Sequence, residues 1–243
     1  MPLDPARLLA HIKTDFRSPD ELRERTDITV AQLYEWHSKA NADYPLFIYQ
    51  DGDKLEYITH SVAYRAIDRV ARYVASLAGT GSRQASSNQP VVALFANTGQ
   101  LLISMIDKSN AFLTGESTDT ITYFCTALGI MRAGCTLFLV STRNTSAALV
   151  DMFQRTGTVH VLISSDPFMR QVGEEALQTL AASGVHVSEH PAPVFEDIFT
   201  DTLDAMSPFA VDIEVPQKFD VDAHGIILHS SGKPIILHLY HRR

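Results

Sequence analysis

The clearest pattern in this chain is a stripe of apolar residues between positions 59 and 77. The apolar side chains recur at intervals of four and three residues, at Ala63, Ile67, Val70, Val74 and Leu77. Residues with this spacing lie on one face of an α-helix, so the pattern predicts an amphipathic helix over residues 59–77 with one buried face.

From residue 91 onward, short apolar runs of strand type alternate with helical patterns. This alternation is typical of βαβ units and predicts an α/β fold, with a partial, mostly parallel sheet and flanking helices. The predicted strands cover residues 46–50, 54–58, 91–95, 136–140, 159–163 and 225–228, and the predicted helices cover residues 5–14, 30–42, 59–77, 119–132, 146–155 and 166–182. Residues 188–219, which include four prolines, are predicted to be irregular.

Turn and capping residues mark the ends of several of these elements. Asp51-Gly52, between two strand patterns, is a strong β-hairpin signal. Asp27 or Thr29 is expected to cap the helix over residues 30–42. Asp119 is expected to cap the helix that follows residue 118, and Gly134 is expected to end it.

Charge and cysteine content exclude several classes of function. The net charge is -8, from 28 acidic and 20 basic side chains, and an acidic chain without a basic cluster repels nucleic acid. No apolar run is long enough to cross a membrane, so we expect no membrane association. Cys125 and Cys135 are too few for a disulfide framework, and no secretory signal is recognisable at the N-terminus. We therefore expect a cytoplasmic protein. Cys125 lies on an apolar helix face and is expected to be a buried structural thiol, and neither cysteine has a cationic neighbour that would make it a nucleophile.

The strand predicted over residues 225–228 leads directly into a group of small polar residues. His229, Ser230, Ser231 and Gly232 are followed by Lys233. A strand, a run of small residues and a lysine are typical of a phosphate-binding loop, whose backbone N–H groups surround phosphate oxygens. This segment is the candidate nucleotide site.

Three segments together resemble the adenylate-forming superfamily, which includes acyl-CoA synthetases, luciferases and the adenylation domains of peptide synthetases. Residues 57–67 are similar to a helix start of that family, and residues 129–144 to its helix–Ala-Gly–strand segment. Residues 229–235 are similar to its signature loop, which normally reads Ser-Gly-Thr-Thr-Gly-x-Pro-Lys. Two details look most like the fungal adenylate-forming reductases, including aminoadipate-reductase-like proteins. They are the pair Arg143-Asn144 that ends the second segment and the sequence His-Ser-Ser-Gly that begins the third.

The resemblance implies that residues 1–243 are an incomplete adenylation (AMP-binding) domain. The parent enzyme would use ATP and magnesium to convert a carboxylic acid into an acyl-adenylate. In the reductase branch, transfer to a phosphopantetheine carrier protein and reduction by NADPH would follow. The resemblance also implies that His229, Ser230, Ser231, Gly232 and Lys233 are the remnant of the ATP phosphate loop, and it assigns no catalytic residue and no metal ligand to this chain.

The first departure from the family pattern is an apparent insertion at residues 99–118. The family passes almost directly from strand to helix here, and βα connections usually have about 2–6 residues. The flanks at Thr98 and Asp119 join cleanly without the insertion, which favours a retained intron. A tolerated surface loop is the alternative, since a longer loop costs little closure entropy.

The second departure is the absence of the family's Ser-Thr-Gly-x-Pro between Gly232 and Lys233. Losing three charge-assisted hydrogen bonds, at roughly 1.5–3 kcal/mol each, would weaken binding by about three to six orders of magnitude. The family's adenine-binding segment, magnesium-binding acidic residue, ribose-binding aspartate and catalytic lysine would all follow residue 243. We therefore expect a truncated, inactive domain. The alternatives are a non-catalytic fragment that docks through an exposed sheet edge and a small nucleotide-binding protein with a rearranged loop.

Structural roles are favoured for the other candidate residues. In the family, a residue at the position of His229 could contact the carboxylate substrate, but a structural role is favoured because the rest of the pocket is absent. His238 and His241 are three residues apart without a third ligand, so we expect no metal there. The acidic residues of segment 196–201 favour a solvated helix face.

Overall fold

A computed structural model describes residues 15–22, 24–25, 28–51, 54–80, 89–97, 120–200, 207–216, 225–230 and 233–237. Several predictions fall outside these residues, namely those on the helix over residues 5–14, the hairpin tip at 52–53, the insertion at 99–118, Asp119, Ser231, Gly232, His238 and His241.

Six α-helices and eight β-strands are found in the part of the chain that the structure describes. The helices are α1 (Val30–Ala40), α2 (His60–Ala78), α3 (Thr120–Arg132), α4 (Ser146–Thr156), α5 (Pro167–Ala182) and α6 (Phe195–Phe199), with a 3₁₀ helix at Asp20–Leu22. The strands are β1 (Pro45–Asp51), β2 (Lys54–Thr59), β3 (Val91–Phe95), β4 (Thr136–Leu139), β5 (Thr158–Ile163), β6 (Ser188–Pro191), β7 (Ile226–Ser230) and β8 (Lys233–Leu237).

The main sheet has the strand order β6-β5-β3-β4-β7-β8. Strands β3 to β7 are parallel to one another, and only β8 is antiparallel to its neighbour, β7. The hairpin of β1 and β2 forms a separate two-stranded antiparallel sheet. The predicted α/β fold with a mostly parallel sheet is confirmed, and so is the predicted pairing of the first two strands.

Helices cover both faces of the main sheet. On β3, Val92 and Leu94 belong to the core that contains buried residues of α2 and α3, whereas Ala93 and Phe95 belong to the core that contains those of α4 and α5. Successive residues of a strand point to opposite faces, so a strand buried on both faces has a continuous apolar run rather than an alternating one. This explains the unbroken apolar run of β3.

Local hydrogen bonds begin and end the helices near the predicted positions. The Thr29 hydroxyl accepts a bond from the Gln32 N–H at 3.1 Å, and the Gln32 side chain accepts one from the Thr29 N–H at 2.8 Å. This capping box begins α1, so Thr29, one of the two predicted candidates, is the N-cap. Gly134 follows the end of α3 with a φ of 76°, which only glycine adopts readily.

The prediction of irregular structure over residues 188–219 is wrong for two segments, the second of which overlaps the helix face expected from the acidic residues of segment 196–201. Residues Ser188–Pro191 form β6, which pairs with β5, and residues Phe195–Phe199 form α6. The segment 188–191 has alternating half-buried and exposed residues and ends at a proline, so its apolar pattern is weak. Arg69 of α2 holds the end of α6 by donating to the carbonyl oxygens of Ile198 (2.7 Å) and Thr200 (3.0 Å). Both elements depend on contacts with distant parts of the chain.

Strand β8 was not predicted, because its first residues were assigned to the end of a loop. Lys233–Leu237 pairs with Ile226–Ser230 residue by residue. None of the described helices is long and apolar enough to cross a membrane.

Candidate functional site

The candidate site lies at the carboxyl edge of the parallel sheet. Parallel strands end at a common edge, and open α/β sheets bind ligands there. The segments that follow β4 and β7 are neighbours because the two strands pair, with Leu137 opposite Ile226 and Phe138 opposite Ile227. His229 and Ser230, from the predicted site, are the last two residues of β7.

His229 is tied to the segment that follows β4. Its Nε2 atom accepts a hydrogen bond from the Ser141 N–H at 3.0 Å and lies 3.3 Å from Asn144 Nδ2. The ring also meets the ring of Phe138 edge-on, with centroids 6.3 Å apart. An Nε2 atom that accepts a backbone N–H carries no proton itself, so the neutral ring has its proton on Nδ1. These contacts give His229 a structural role in joining two strand ends.

The segment predicted to be the remnant of a phosphate loop connects two paired strands, β7 and β8. Ser230 is the strand partner of Lys233, so only two residues connect β7 to β8. The structure therefore brings the backbones of Ser230 and Lys233 together. Ser231 and Gly232, which complete the predicted site, lie outside the described residues, and their role stays a prediction.

A triphosphate cradle needs more chain than this hairpin has. Phosphate loops work by directing several successive N–H groups and hydroxyls at the phosphate oxygens, with glycines that allow close approach. Here the backbones of Ser230 and Lys233 already face each other in the β-ladder, and two residues span the turn. Among the described residues, the backbones of Ser230 and Lys233 are therefore engaged in strand pairing.

A second concave region lies at the carboxyl ends of β5 and β6. This cleft of about 630 Å³ is lined by residues that include Ser164 and Ser165 after β5, Arg170 of α5, His190 of β6 and Asp197 of α6. The Asp197 carboxylate accepts the Val194 N–H at 3.0 Å, so it is partly occupied in holding the start of α6.

Two histidines on neighbouring strands meet beside this cleft. His160 Nδ1 and His190 Nε2 are 3.1 Å apart. Burial lowers the pKa of both rings, and the neighbouring His160 lowers the pKa of His190 further. Both rings are therefore neutral near pH 7, and one donates a hydrogen bond to the other.

The two cysteines are buried and free, as expected of structural thiols. Burial raises the pKa of Cys135 to about 12, so its thiol stays protonated and unreactive at neutral pH. Among the described residues, no group of three or more histidine, cysteine or acidic side chains could hold a metal ion.

Two site residues, Ser141 and Asn144, were not identified from the sequence. Both lie in the segment that resembles the family, but nothing in their spacing pointed to His229. The usable signal is topological, because residues that follow neighbouring parallel strands meet at one edge of a sheet. That signal requires knowing that β4 and β7 are neighbours.

Comparison with known proteins bears out the resemblance. No family model matches the chain. The chain is 29% identical over 212 residues to the adenylate-forming reductase Nps10 of Heterobasidion annosum. The match covers 84% of this chain and 17% of the reductase.

Solved structures of adenylate-forming enzymes share the fold. A fatty acyl CoA synthetase of Mycobacterium tuberculosis aligns with a TM-score of 0.56 at 15% identity, over 88% of this chain and 35% of the synthetase. The O-succinylbenzoate coenzyme A synthetase of Bacillus subtilis, in complex with ATP and a magnesium ion, aligns with a TM-score of 0.52 at 13% identity. That match covers 85% of this chain and 42% of the synthetase. The chain therefore spans less than half the length of each of these proteins, and its fold corresponds to part of theirs.

Proposed function

We propose, on the premise that this chain shares sequence and fold with adenylate-forming enzymes, that residues 1–243 form the first part of an adenylation domain. The reaction of such a domain is the ATP-dependent activation of a carboxylic acid to an acyl-adenylate, with release of pyrophosphate. Because the sequence relative is a reductase, we infer that the acyl group then passes to a carrier protein and is reduced. The observation that carries this proposal is the similarity to the reductase over 212 residues.

Within such a domain, this chain would hold the ends of β4 and β7 together at the edge of the sheet. The bond from the Ser141 N–H to His229 Nε2 fixes the end of β7 against the end of β4. That end is where the signature loop of the family begins, so His229 acts as a positioning residue for the loop.

The short β7–β8 turn makes this chain a weak ligand for MgATP. We expect a dissociation constant weaker than about 1 mM, since the sequence lacks the family's Ser-Thr-Gly-x-Pro, whose hydroxyls and N–H groups surround the phosphates. We assign no catalytic step to the residues present.

Isothermal titration with MgATP tests this proposal on three proteins. The first is the 243-residue chain, and the second carries Ser-Thr-Gly-Ala-Pro inserted between Gly232 and Lys233. The third carries five alanines at the same place, which lengthens the turn without adding hydroxyls or a glycine. We expect the first insertion to tighten binding at least about tenfold, the effect of one added hydrogen bond to a charged group, and the alanine insertion to have no effect.

The outcomes of this titration distinguish an adenylation-domain fragment from a small nucleotide-binding protein and from a non-catalytic interaction protein. Micromolar binding by the chain with its two-residue turn would overturn the proposal in favour of a small nucleotide-binding protein with a rearranged loop. Equal effects of the two insertions would show that the loop does not recognise phosphate. Absent binding in all three proteins, together with a monodisperse chain in solution, would favour a non-catalytic interaction protein.

We also propose that residues 99–118 are an insertion into this domain. Strand β3 ends at Phe95 and α3 begins at Thr120, a far longer connection than the βα loops of such sheets. A variant that joins Thr98 to Asp119 should fold with a stability equal to or on the order of 1 kcal/mol above that of the parent chain, because a shorter loop costs less to close. Urea unfolding measures this. Loss of folding would contradict the proposal, and sequencing of the transcript would show directly whether codons 99–118 are retained.

A further inference from the structure

A short strap at residues 15–17 is hydrogen-bonded to the side chain of Asn41 at the end of α1. The Arg17 N–H donates to Asn41 Oδ1 at 2.6 Å, and Asn41 Nδ2 donates to the Arg17 carbonyl oxygen at 3.0 Å. Asn41 itself is fixed, because it follows the last residue of α1 and its backbone N–H donates to the His37 carbonyl oxygen at 2.8 Å. The two contacts with Arg17 determine which way the Asn41 carboxamide points.

This orientation determines the protonation state that His37 must have. Asn41 Nδ2 lies 2.8 Å from His37 Nδ1. The carboxamide cannot turn over without losing both bonds to Arg17, so Nδ2 is the donor and His37 Nδ1 is the acceptor. His37 is 8% exposed, which leaves little room for water to replace this bond. The closed strap therefore requires a His37 ring without a proton on Nδ1.

Aromatic rings surround His37 on several sides. Phe16 of the strap stacks on His37 at a centroid distance of 5.5 Å, and His60 of α2 stacks on it at 5.0 Å. Trp36 meets the His37 ring edge-on at 4.9 Å. His60 Nδ1 is buried without a hydrogen-bond partner.

Among the residues that the structure describes, the charged groups on the packed elements give no carboxylate partner to His37. On α2 the titratable neighbour is His60, and on α1 the residues Glu35 and Lys39 pair with each other at 2.9 Å. Glu21 of the 3₁₀ helix accepts the indole N–H of Trp36. The strap itself carries Asp15 and Arg17, both exposed. Burial alone lowers the pKa of His37, whereas burial and the neighbouring His37 lower the pKa of His60 to about 4.

We propose that His37 is a proton-operated latch for the strap, by which we mean that protonation of its ring releases residues 15–17 from Asn41. A proton on Nδ1 places an N–H group against the Asn41 Nδ2 donor, and two donors cannot share a hydrogen bond. The carboxamide must then move, and the strap loses its two bonds to Asn41. The strap is closed at neutral pH and opens under acidic conditions, below the ordinary pKa of histidine, while the rest of the fold stays intact. This device is independent of the proposed adenylation function.

Hydrogen exchange at the Arg17 amide tests the latch, because that N–H is itself one of the two bonds. The full chain, labelled with ¹⁵N, is measured at several pH values from 7.5 to 4.5, with protection corrected for the intrinsic exchange rate. We expect protection to fall about tenfold on acidification, the effect of losing roughly one net hydrogen bond. The fluorescence of Trp36, the single tryptophan, should change over the same pH range as the His37 ring acquires charge.

Three variants assign the effect to His37. Asn41→Ala should lower Arg17 protection at every pH. His37→Phe keeps an aromatic ring but has no titratable nitrogen, so the protection of Arg17 should be independent of pH. His60→Phe is the matched control, because it removes the neighbouring titratable ring and should keep the transition.

Several results would overturn the proposal. The proposal fails if the protection of the Arg17 amide in the parent chain does not depend on pH. It also fails if the pH transition persists in His37→Phe. Tighter protection in acid would mean that stacking of the charged ring on Phe16 outweighs the lost bonds. Loss of far-UV circular dichroism over the same pH range would show general unfolding. If His37→Phe does not fold, His37→Gln takes its place and should also lose the transition.

Discussion

Arg132, the last residue of α3, joins three helices through one guanidinium group. Its Nε donates to the Asp68 carboxylate of α2 at 2.9 Å, and its Nη1 lies 3.6 Å from the Glu35 carboxylate of α1. The guanidinium carbon also lies 5.1 Å from the centroid of the Tyr64 ring. The side chain is only 7% exposed. Arg132 belongs to a segment that resembles the adenylate-forming family, and its role is structural.

Removing this side chain should destabilise the fold strongly. We expect Arg132→Ala to lower the free energy of unfolding by about 2–3 kcal/mol, because it removes a nearly buried side chain from between three helices together with its charge-assisted hydrogen bond to Asp68. Arg155→Ala is the control, since Arg155 makes a half-exposed pair with Asp151 at 3.3 Å and should cost less than about 0.5 kcal/mol. Urea unfolding followed by circular dichroism measures both. Similar losses in the two variants would contradict the structural role of Arg132.

At the scale of elements, α2 and α3 pack so closely that one position on α3 has no room for a side chain. A methyl group on Gly129 would come within 2.6 Å of Val70 Cβ and 3.1 Å of the Ile67 carbonyl oxygen. These neighbours are a β-carbon and a backbone atom, which cannot move aside without shifting α2. The glycine therefore sets the distance between the two helices.

Gly129→Ala should destabilise the protein, whereas the same change at Gly173 should be better tolerated. Both glycines are inside helices, where alanine is favoured by about 1 kcal/mol. At Gly173 the new methyl would meet mainly Ile163 Cδ1, at 2.5 Å, which is the flexible end of a side chain. We expect a loss of about 1–3 kcal/mol for Gly129→Ala and a change smaller by at least about 1 kcal/mol for Gly173→Ala. Equal thermal unfolding midpoints for the two variants would contradict this explanation.

Elements with strong local patterns could be predicted, and elements that depend on distant partners could not. The stripe over residues 59–77 predicted α2 within one residue at each end, and β3 was predicted at its observed bounds. Strands β6 and β8 are defined by backbone pairing with β5 and β7, which leaves little trace in side-chain pattern. For the same reason the sequence indicated His229 as a site residue but not its contacts with Ser141 and Asn144.

At the scale of the whole molecule, α2 connects segments that are far apart in the sequence. Arg72 donates to the Asp212 carboxylate at 3.1 Å and to the Ile213 carbonyl oxygen at 3.4 Å. At the other end of α2, His60 packs on His37 of α1, and its N–H donates to the Tyr44 carbonyl oxygen at 3.0 Å. Burial lowers the pKa of the His60 ring, so we expect the stability of the whole fold to depend on pH.

Acid should destabilise the protein through His60. Its pKa is about 4 when folded, against an ordinary value of 6.5, so the unfolded chain takes up a proton first as the pH falls. The contribution of His60 to stability is complete above pH 6.5 and decreases between pH 6.5 and about 4, by roughly 2–3 kcal/mol. Urea unfolding at pH 7.5 and pH 4.5 measures the difference. His60→Phe should show a smaller loss in acid, and an equal loss would contradict the assignment to His60.

The strand order has a consequence for the order in which the sheet can assemble during synthesis. The first strand of the main sheet to leave the ribosome, β3, lies in the interior, and its two neighbours, β4 and β5, are the next two to emerge. The sheet can therefore grow outward from an early nucleus, with β6 added at one edge and then β7 and β8 at the other. The hairpin that contains Ser230 and Lys233 joins after the other described strands of this sheet, so a change in its length leaves the early nucleus intact.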